Sequence, residues 1–324
     1  MILCLPGETK ESFLDGITKV LDAGVRDIVI YTLVKLEGTP LATDEFVEKY
    51  DYITRYRLVP RDFSDIRGTK VFEIEIAIIG NNTMSEEDYF ELRDYAFTIS
   101  SYTSSLEFAE LKRFLFNLGI KISSWVYNIH ARINKTPGTS DCYKNFMKET
   151  KSELFRTREA LVEYYSRNRN YSKLISGELG DNLVRKYRFQ LLNQHYSNSL
   201  KLAIDEAKKL TTPVLGTEKA EAILDSFHTY LSSRNLGSIM DGRNIESKEH
   251  LLNFDIPGWI NNKDQGLSLD KLEGAFRYKT VYSEYSKKVL KQYKVQYKDP
   301  ELSFQMIYRD GISVDLWPQW ISAI

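Results

Sequence analysis

A short apolar run, a capped amphipathic pattern and a β-branched run follow one another within the first 34 residues. Met1-Ile2-Leu3-Cys4-Leu5 is closed at once by Pro6-Gly7, the pattern of a short buried strand ended by a turn. Thr9 stands where it can cap a helix over 10–23, whose apolar positions Phe13, Ile17, Val20, Leu21 and Val25 recur at helical spacing and which Gly24 ends. The next segment, Asp27 to Val34, reads as a strand buried on both faces, as in a parallel sheet. Strand, helix and strand in that order predict a right-handed βαβ unit and an α/β architecture. The loops 5–9 and 35–41 then share the C-terminal strand edge, where such proteins build their sites. A secretory signal needs a basic start and a longer apolar stretch, so the opening run reads instead as the end of a strand whose earlier part is missing.

The rest of the composition narrows the class without naming a chemistry. In 324 residues, 42% hydrophobic and 27% charged content describes a folded chain with a sizeable core, long enough for two domains. A formal net charge of -1 gives no pull toward nucleic acid or an anionic membrane, and neither is expected as a partner. No apolar stretch approaches the ~20 residues of a membrane-spanning helix, and two cysteines, Cys4 and Cys142, do not make a disulfide framework. The expectation is a cytoplasmic protein. Its 21 tyrosines and 16 phenylalanines point to aromatic packing.

Four stretches carry a family resemblance: "LPGET" before the amphipathic helix, "IVIYTLVKLEGTPL", "TRYRLVPRDF" and "NNTMSEEDYFELRDYAF". Together they resemble the second half of a radical S-adenosylmethionine protein, most closely the group with an N-terminal cobalamin-binding domain. The resemblance covers residues 1–110. It implies the fifth and sixth strands of a partial (βα) barrel, with S-adenosylmethionine lying across the C-terminal strand ends. Carried onto this sequence, it implies cofactor-binding roles for Pro6, Gly7, Glu8 and Thr9 in the first loop and for Tyr31, Leu33, Gly38 and Thr39 around the second. The family binds a four-iron, four-sulfur cluster through CxxxCxxC, and this chain has no such motif. The cluster, S-adenosylmethionine and, in the cobalamin group, cobalamin therefore belong to a complete protein. The implied partner is a separately encoded or missing N-terminal half that carries the cluster loop. A truncated gene, half of a split enzyme and a shortened relative all remain open, as does a noncatalytic helical module that binds a partner and keeps part of a barrel.

The other motifs have ordinary readings. Arg55, Arg57, Arg61 and Asp62 could grip a carboxylate or phosphate, but such a cluster is more often a solvated face or pairs with Asp62 and Asp65. Residues 72–78 alternate as a strand, placing Glu73 and Glu75 on one wetter face. Ser85 and Asp88 form a capping pattern, after which helices are expected at 105–117, 149–167, 183–210 and 217–234, with breaks at Thr136-Pro137-Gly138 and Thr212-Pro213. The stripe Leu183, Tyr187, Leu191, Tyr196, Leu200, Ala203 and Ala207 reads as packing surface. "LLNFDIPGW" and "KVQYKDPELSFQMIY" read as extended segments, and "LWPQWISAI" as a tail docked on the helices. His130, His195, His228 and His250 lack zinc-site spacing, so no metal ligands are assigned, and no Walker, GxSxG or GxGxxG motif is present. The expected fold is α/β plus mainly α: the last βα units of a radical S-adenosylmethionine barrel over 1–84, then a helical accessory domain over 85–324.

Overall fold

The computed structural model describes residues 1–235, 247–262, 268–269, 272–297, 303, 306–307 and 314–323. Within them the chain is mixed α/β, with many helices and small sheets. It runs β1 (Ile2–Leu3), α1 (Lys10–Asp22), β2 (Tyr31–Thr32), α2 (Asp44–Tyr50), β3 (Ile53–Ile66), β4 (Thr69–Gly80) and α3 (Glu86–Tyr102). Next come α4 (Ala109–Asn117), α5 (Ile122–Ile133), α6 (Thr139–Ser152), α7 (Arg158–Ser166), α8 (Asn168–Ser176), α9 (Leu183–Asn193), α10 (Tyr196–Leu215) and α11 (Thr217–Ser232). Last are β5 (Lys248–Phe254), α12 (Ile256–Asn261), β6 (Glu273–Val281), α13 (Glu284–Tyr297) and β7 (Gln319–Ser322). Two compact units divide the chain: residues 1–100 with 141–188, and residues 101–140 with 189–324. The 84/85 position, where strand pattern gives way to helix pattern, lies inside the first unit.

In the first unit, α1 begins as its sequence dictates. The Thr9 hydroxyl accepts from the Ser12 amide at 3.2 Å, and the Ser12 hydroxyl accepts from the Thr9 amide at 2.9 Å. Phe13, Ile17 and Leu21 are buried, and Gly24, at φ 77°, turns the chain away. The strands flanking α1 pair in parallel, Ile2 with Tyr31 and Leu3 with Thr32. The continuous strand expected over 27–34 is shortened to Tyr31–Thr32. Its partner β1 ends at once because Cys4 adopts a left-handed φ of 66°. Nor is the segment buried on both faces, since Val29 is 53% and Tyr31 63% exposed. Beyond Thr32 the backbone changes partner: the Ile78 amide donates to the Leu33 carbonyl and the Lys35 amide to the Ile76 carbonyl, both at 2.8 Å. An antiparallel bridge, Val34 to Ala77, thus joins the parallel pair to β4.

β3 and β4 form a long antiparallel hairpin around Arg67-Gly68, whose φ values of 55° and 85° suit a two-residue primed turn. Pro60, which has no amide hydrogen, sits in the irregular stretch between Leu58 and Phe63 where pairing lapses. One face of the hairpin buries Leu58 and Phe72 against Leu161, Tyr165, Tyr171 and Leu174 of α7 and α8. The single helix expected over 149–167 is two. Between them the Phe155 backbone exchanges two 2.8 Å hydrogen bonds with Tyr56, and Thr157 then caps α7. A backbone drawn into a strand bridge cannot stay helical.

The second unit packs α4, α5, α10 and α11 around aromatic residues. Phe108 stacks on Tyr102 at 5.2 Å, and the Trp125 indole donates to the Ala203 carbonyl at 3.0 Å. All seven residues of the expected apolar stripe over 183–207 are buried, although the helix there is broken into α9 and α10. The break expected at Thr212-Pro213 is absent: Pro213 lies inside the last turn of α10. There the Thr211 and Thr212 hydroxyls donate to carbonyls one turn back. The sequence pattern also passed over α5 and α8, and the helix expected at 105–117 is a 3-10 turn, Leu106–Phe108, running into α4. "LLNFDIPGW" is half strand, half helix, because Asp255 caps α12 through the Gly258 amide. In "KVQYKDPELSFQMIY" the first four residues close α13 rather than forming a strand, and residues 298–302, 304–305 and 308 lie outside the described residues. The tail pairs β7 with β6 and sets Trp320 against His250 and Tyr230, at 4.5 and 5.2 Å.

Candidate functional site

The two loops read as ligand-facing follow β1 and β2 in the first unit. In the first, the Glu8 amide donates to the Leu5 carbonyl at 3.1 Å, closing a turn that holds Gly7 at φ 82°. In the second, the Thr39 amide and hydroxyl both donate to the Leu36 carbonyl, at 3.2 and 2.7 Å, and Gly38 has φ 83°. Both glycines occupy the left-handed region that side chains rarely adopt, and no heavy atom lies within 4 Å of where a Cβ would stand. Their backbones face open space.

A third segment completes the edge, and it was not assigned any role from sequence. The turn after β4 places Asn81 so that its Oδ1 accepts from the Thr83 and Met84 amides, at 2.8 and 3.1 Å. Its Nδ2 donates to the Cys4 carbonyl at 3.0 Å. The Thr83 hydroxyl donates to the Glu8 carbonyl at 2.8 Å, so this turn clamps the first loop at both ends. Two consecutive asparagines followed by a threonine, immediately after a strand, were the available signal.

The eight residues expected to face a ligand differ in what they have left to offer. Thr9 uses its hydroxyl to cap α1, and Thr39 uses its own within its turn. Leu33 is buried, with both backbone groups engaged by the Leu3 carbonyl and the Ile78 amide. Tyr31 is exposed rather than a core aromatic. Pro6, Gly7 and Gly38 shape backbone. Glu8 stands apart: its Oε2 is covered and has no hydrogen-bond partner among the described residues. Burial accordingly raises its carboxyl above the ordinary range. A half-buried carboxylate oxygen without a donor among the described residues, next to the open Gly7 turn, can receive hydroxyl or ammonium donors from a ligand.

The cysteines do not fit an iron–sulfur cluster. Burial first, then the charges of Glu8 and Asp88, push the Cys4 thiol up to about 12, and it points at the Met84 sulfur 3.6 Å away. Cys142 is also buried and donates to the Tyr187 carbonyl at 3.4 Å. A cluster ligand must be a thiolate. No group of three or more histidine, cysteine, aspartate or glutamate side chains among the described residues is placed to hold a metal.

The arginines of "TRYRLVPRDF" are occupied, though not by Asp62 and Asp65. Arg55 forks onto Glu86 at 3.0 and 3.1 Å, and Arg57 bonds Glu75 and, at 3.5 Å, Glu153. Arg61 donates to the Leu174 carbonyl at 2.9 Å. All three are thus engaged within the first unit, by partners other than the expected acids. Comparison of the chain with protein-family models and with curated proteins finds no match.

Proposed function

We propose that this chain supplies the distal, S-adenosylmethionine-facing part of a radical S-adenosylmethionine enzyme, with the cluster loop carried outside these 324 residues. The complete protein would reductively cleave S-adenosylmethionine for radical chemistry, and cobalamin would join it in the group that the sequence most resembles. What supports the reading is the Glu8 carboxylate oxygen, covered and unpartnered at the ends of a parallel strand pair. In this role Glu8 accepts from a ribose hydroxyl or the ammonium group, and the turns at Gly7 and Gly38 let the nucleoside approach the backbone. No step is assigned to a cluster on this chain, whose own thiols do not suit one.

The test is anaerobic reconstitution of the chain with any upstream-encoded CxxxCxxC segment, followed by iron content and calorimetric S-adenosylmethionine binding. The pair is expected to hold iron and bind the cofactor. Glu8→Gln should weaken binding tenfold or more, the equivalent of one charge-assisted hydrogen bond of about 1.5–3 kcal/mol. Unchanged affinity in that variant would remove Glu8 from the site.

The second reading, a noncatalytic partner-binding module, draws on six exposed apolar residues of the first unit, Met1, Ile2, Val25, Val29, Tyr31 and Leu36. It predicts a protein complex that forms without S-adenosylmethionine and does not respond to it.

A further inference from the structure

We propose that Arg113, in the second unit, is the binding site for a small oxyanion, a carboxylate or phosphate gripped side-on by Nε and Nη2. Arg113 projects from α4 and lies on the indole of Trp259 in α12, its Cζ 3.8 Å from the ring centroid. Trp259 is itself fixed, edge-on to Phe114 and Phe227 with centroids 6.5 and 6.2 Å away. Packing therefore sets the plane of the guanidinium.

Nε and Nη2 of Arg113 are both covered and donate to nothing among the described residues. These two N–H groups occupy one edge of the planar fork and point the same way, the edge that carboxylate and phosphate oxygens match two at a time. The acid whose charge reaches Arg113 does not fill it: Glu110 instead accepts from Arg234 Nη1 at 2.7 Å. Arg234 is the informative contrast. It too lies on an indole, Trp317 at 4.1 Å, but its donors go to the Leu106 and Glu107 carbonyls, Glu110 and the Tyr230 hydroxyl. Among the described residues, one stacked arginine is satisfied and the other is not.

Two covered N–H donors without acceptors are costly, and partial burial lowers the pKa of Arg113. A water molecule could meet the two donors without meeting the charge, whereas an oxyanion meets both. Covering of both nitrogens restricts the occupant to a small ion.

The experiment titrates the full chain with sodium phosphate, and separately with sodium acetate, at ionic strength held constant by sodium chloride. The wild type should show a saturable rise in thermal midpoint, on the order of 2 °C, with one or both anions, and a saturable change in tryptophan fluorescence. The anion that acts at the lower concentration identifies phosphate or carboxylate as the natural group. Arg113→Lys keeps the charge but loses the fork, and should lose both responses. Line broadening of phosphate or acetate resonances by the wild type alone supplies a readout that needs no variant. Equal responses in wild type and Arg113→Lys, or no saturable response and no broadening, would overturn the proposal.

Discussion

Glu153, at the end of α6, carries a carboxyl whose ionisation the fold opposes: the side chain is 15% exposed, and burial raises its pKa to about 7. Glu149 on the same stretch of chain adds to the rise, while Arg57 from β3 and Arg93 from α3 oppose it. Tyr165 from α7 also feels its charge. The folded chain keeps this proton after the unfolded chain has released it. The stability it contributes is therefore full below about 4.5 and is lost as pH rises through about 7. Thermal midpoints across that range should fall with rising pH, and Glu153→Gln should flatten the fall. A residue of slope should persist, because burial also raises Asp94, to about 6, and Glu8. An unaltered slope in the variant would place the effect elsewhere. None of this was visible in the sequence, where Glu153 is one acid among many; its environment comes from residues up to 96 positions away. Glu8 is different, since the sequence places it in the loop between the Pro6-Gly7 turn and the Thr9 cap, although only the structure separates its spare oxygen from the committed hydroxyl of Thr9.

Elements fixed by local chemistry were legible, and those fixed by a distant partner were not. Thr9 and Ser12 settle the start of α1 from three residues apart, as Ser85 and Asp88 do for α3. Thr9→Ala should accordingly cost about 1 kcal/mol, read as a lower urea midpoint with an unchanged slope. A cost near zero would mean that packing of Phe13, Ile17 and Leu21 alone holds the helix. By contrast, nothing in "LFRTREA" says that the backbone of Phe155 will pair with Tyr56, 99 positions earlier, and so the α6–α7 break was missed. The strand at 31–32 was overextended for the same reason: β-branched residues report a preference, and the length of a strand is set by the partner that Cys4 turns away.

At the scale of the whole molecule, each unit is assembled from two separated pieces of chain, an arrangement that no periodicity in either piece announces. The first unit shows why this matters: the apolar face of the β3–β4 hairpin is closed by Leu161, Tyr165, Tyr171 and Leu174. A polypeptide of residues 1–84 should therefore lack dispersed amide resonances and a cooperative melt, whereas residues 1–188 retain the material of that core. A well-dispersed spectrum for 1–84 would show that the hairpin stands alone. No helix among the described residues is long and apolar enough to cross a membrane. The same interleaving dictates a timetable. On a ribosome adding roughly 5–20 residues per second, Phe72 emerges about 90 residues before Leu161. For several seconds in every round of synthesis, that bare strand face is a client for whichever chaperone arrives first.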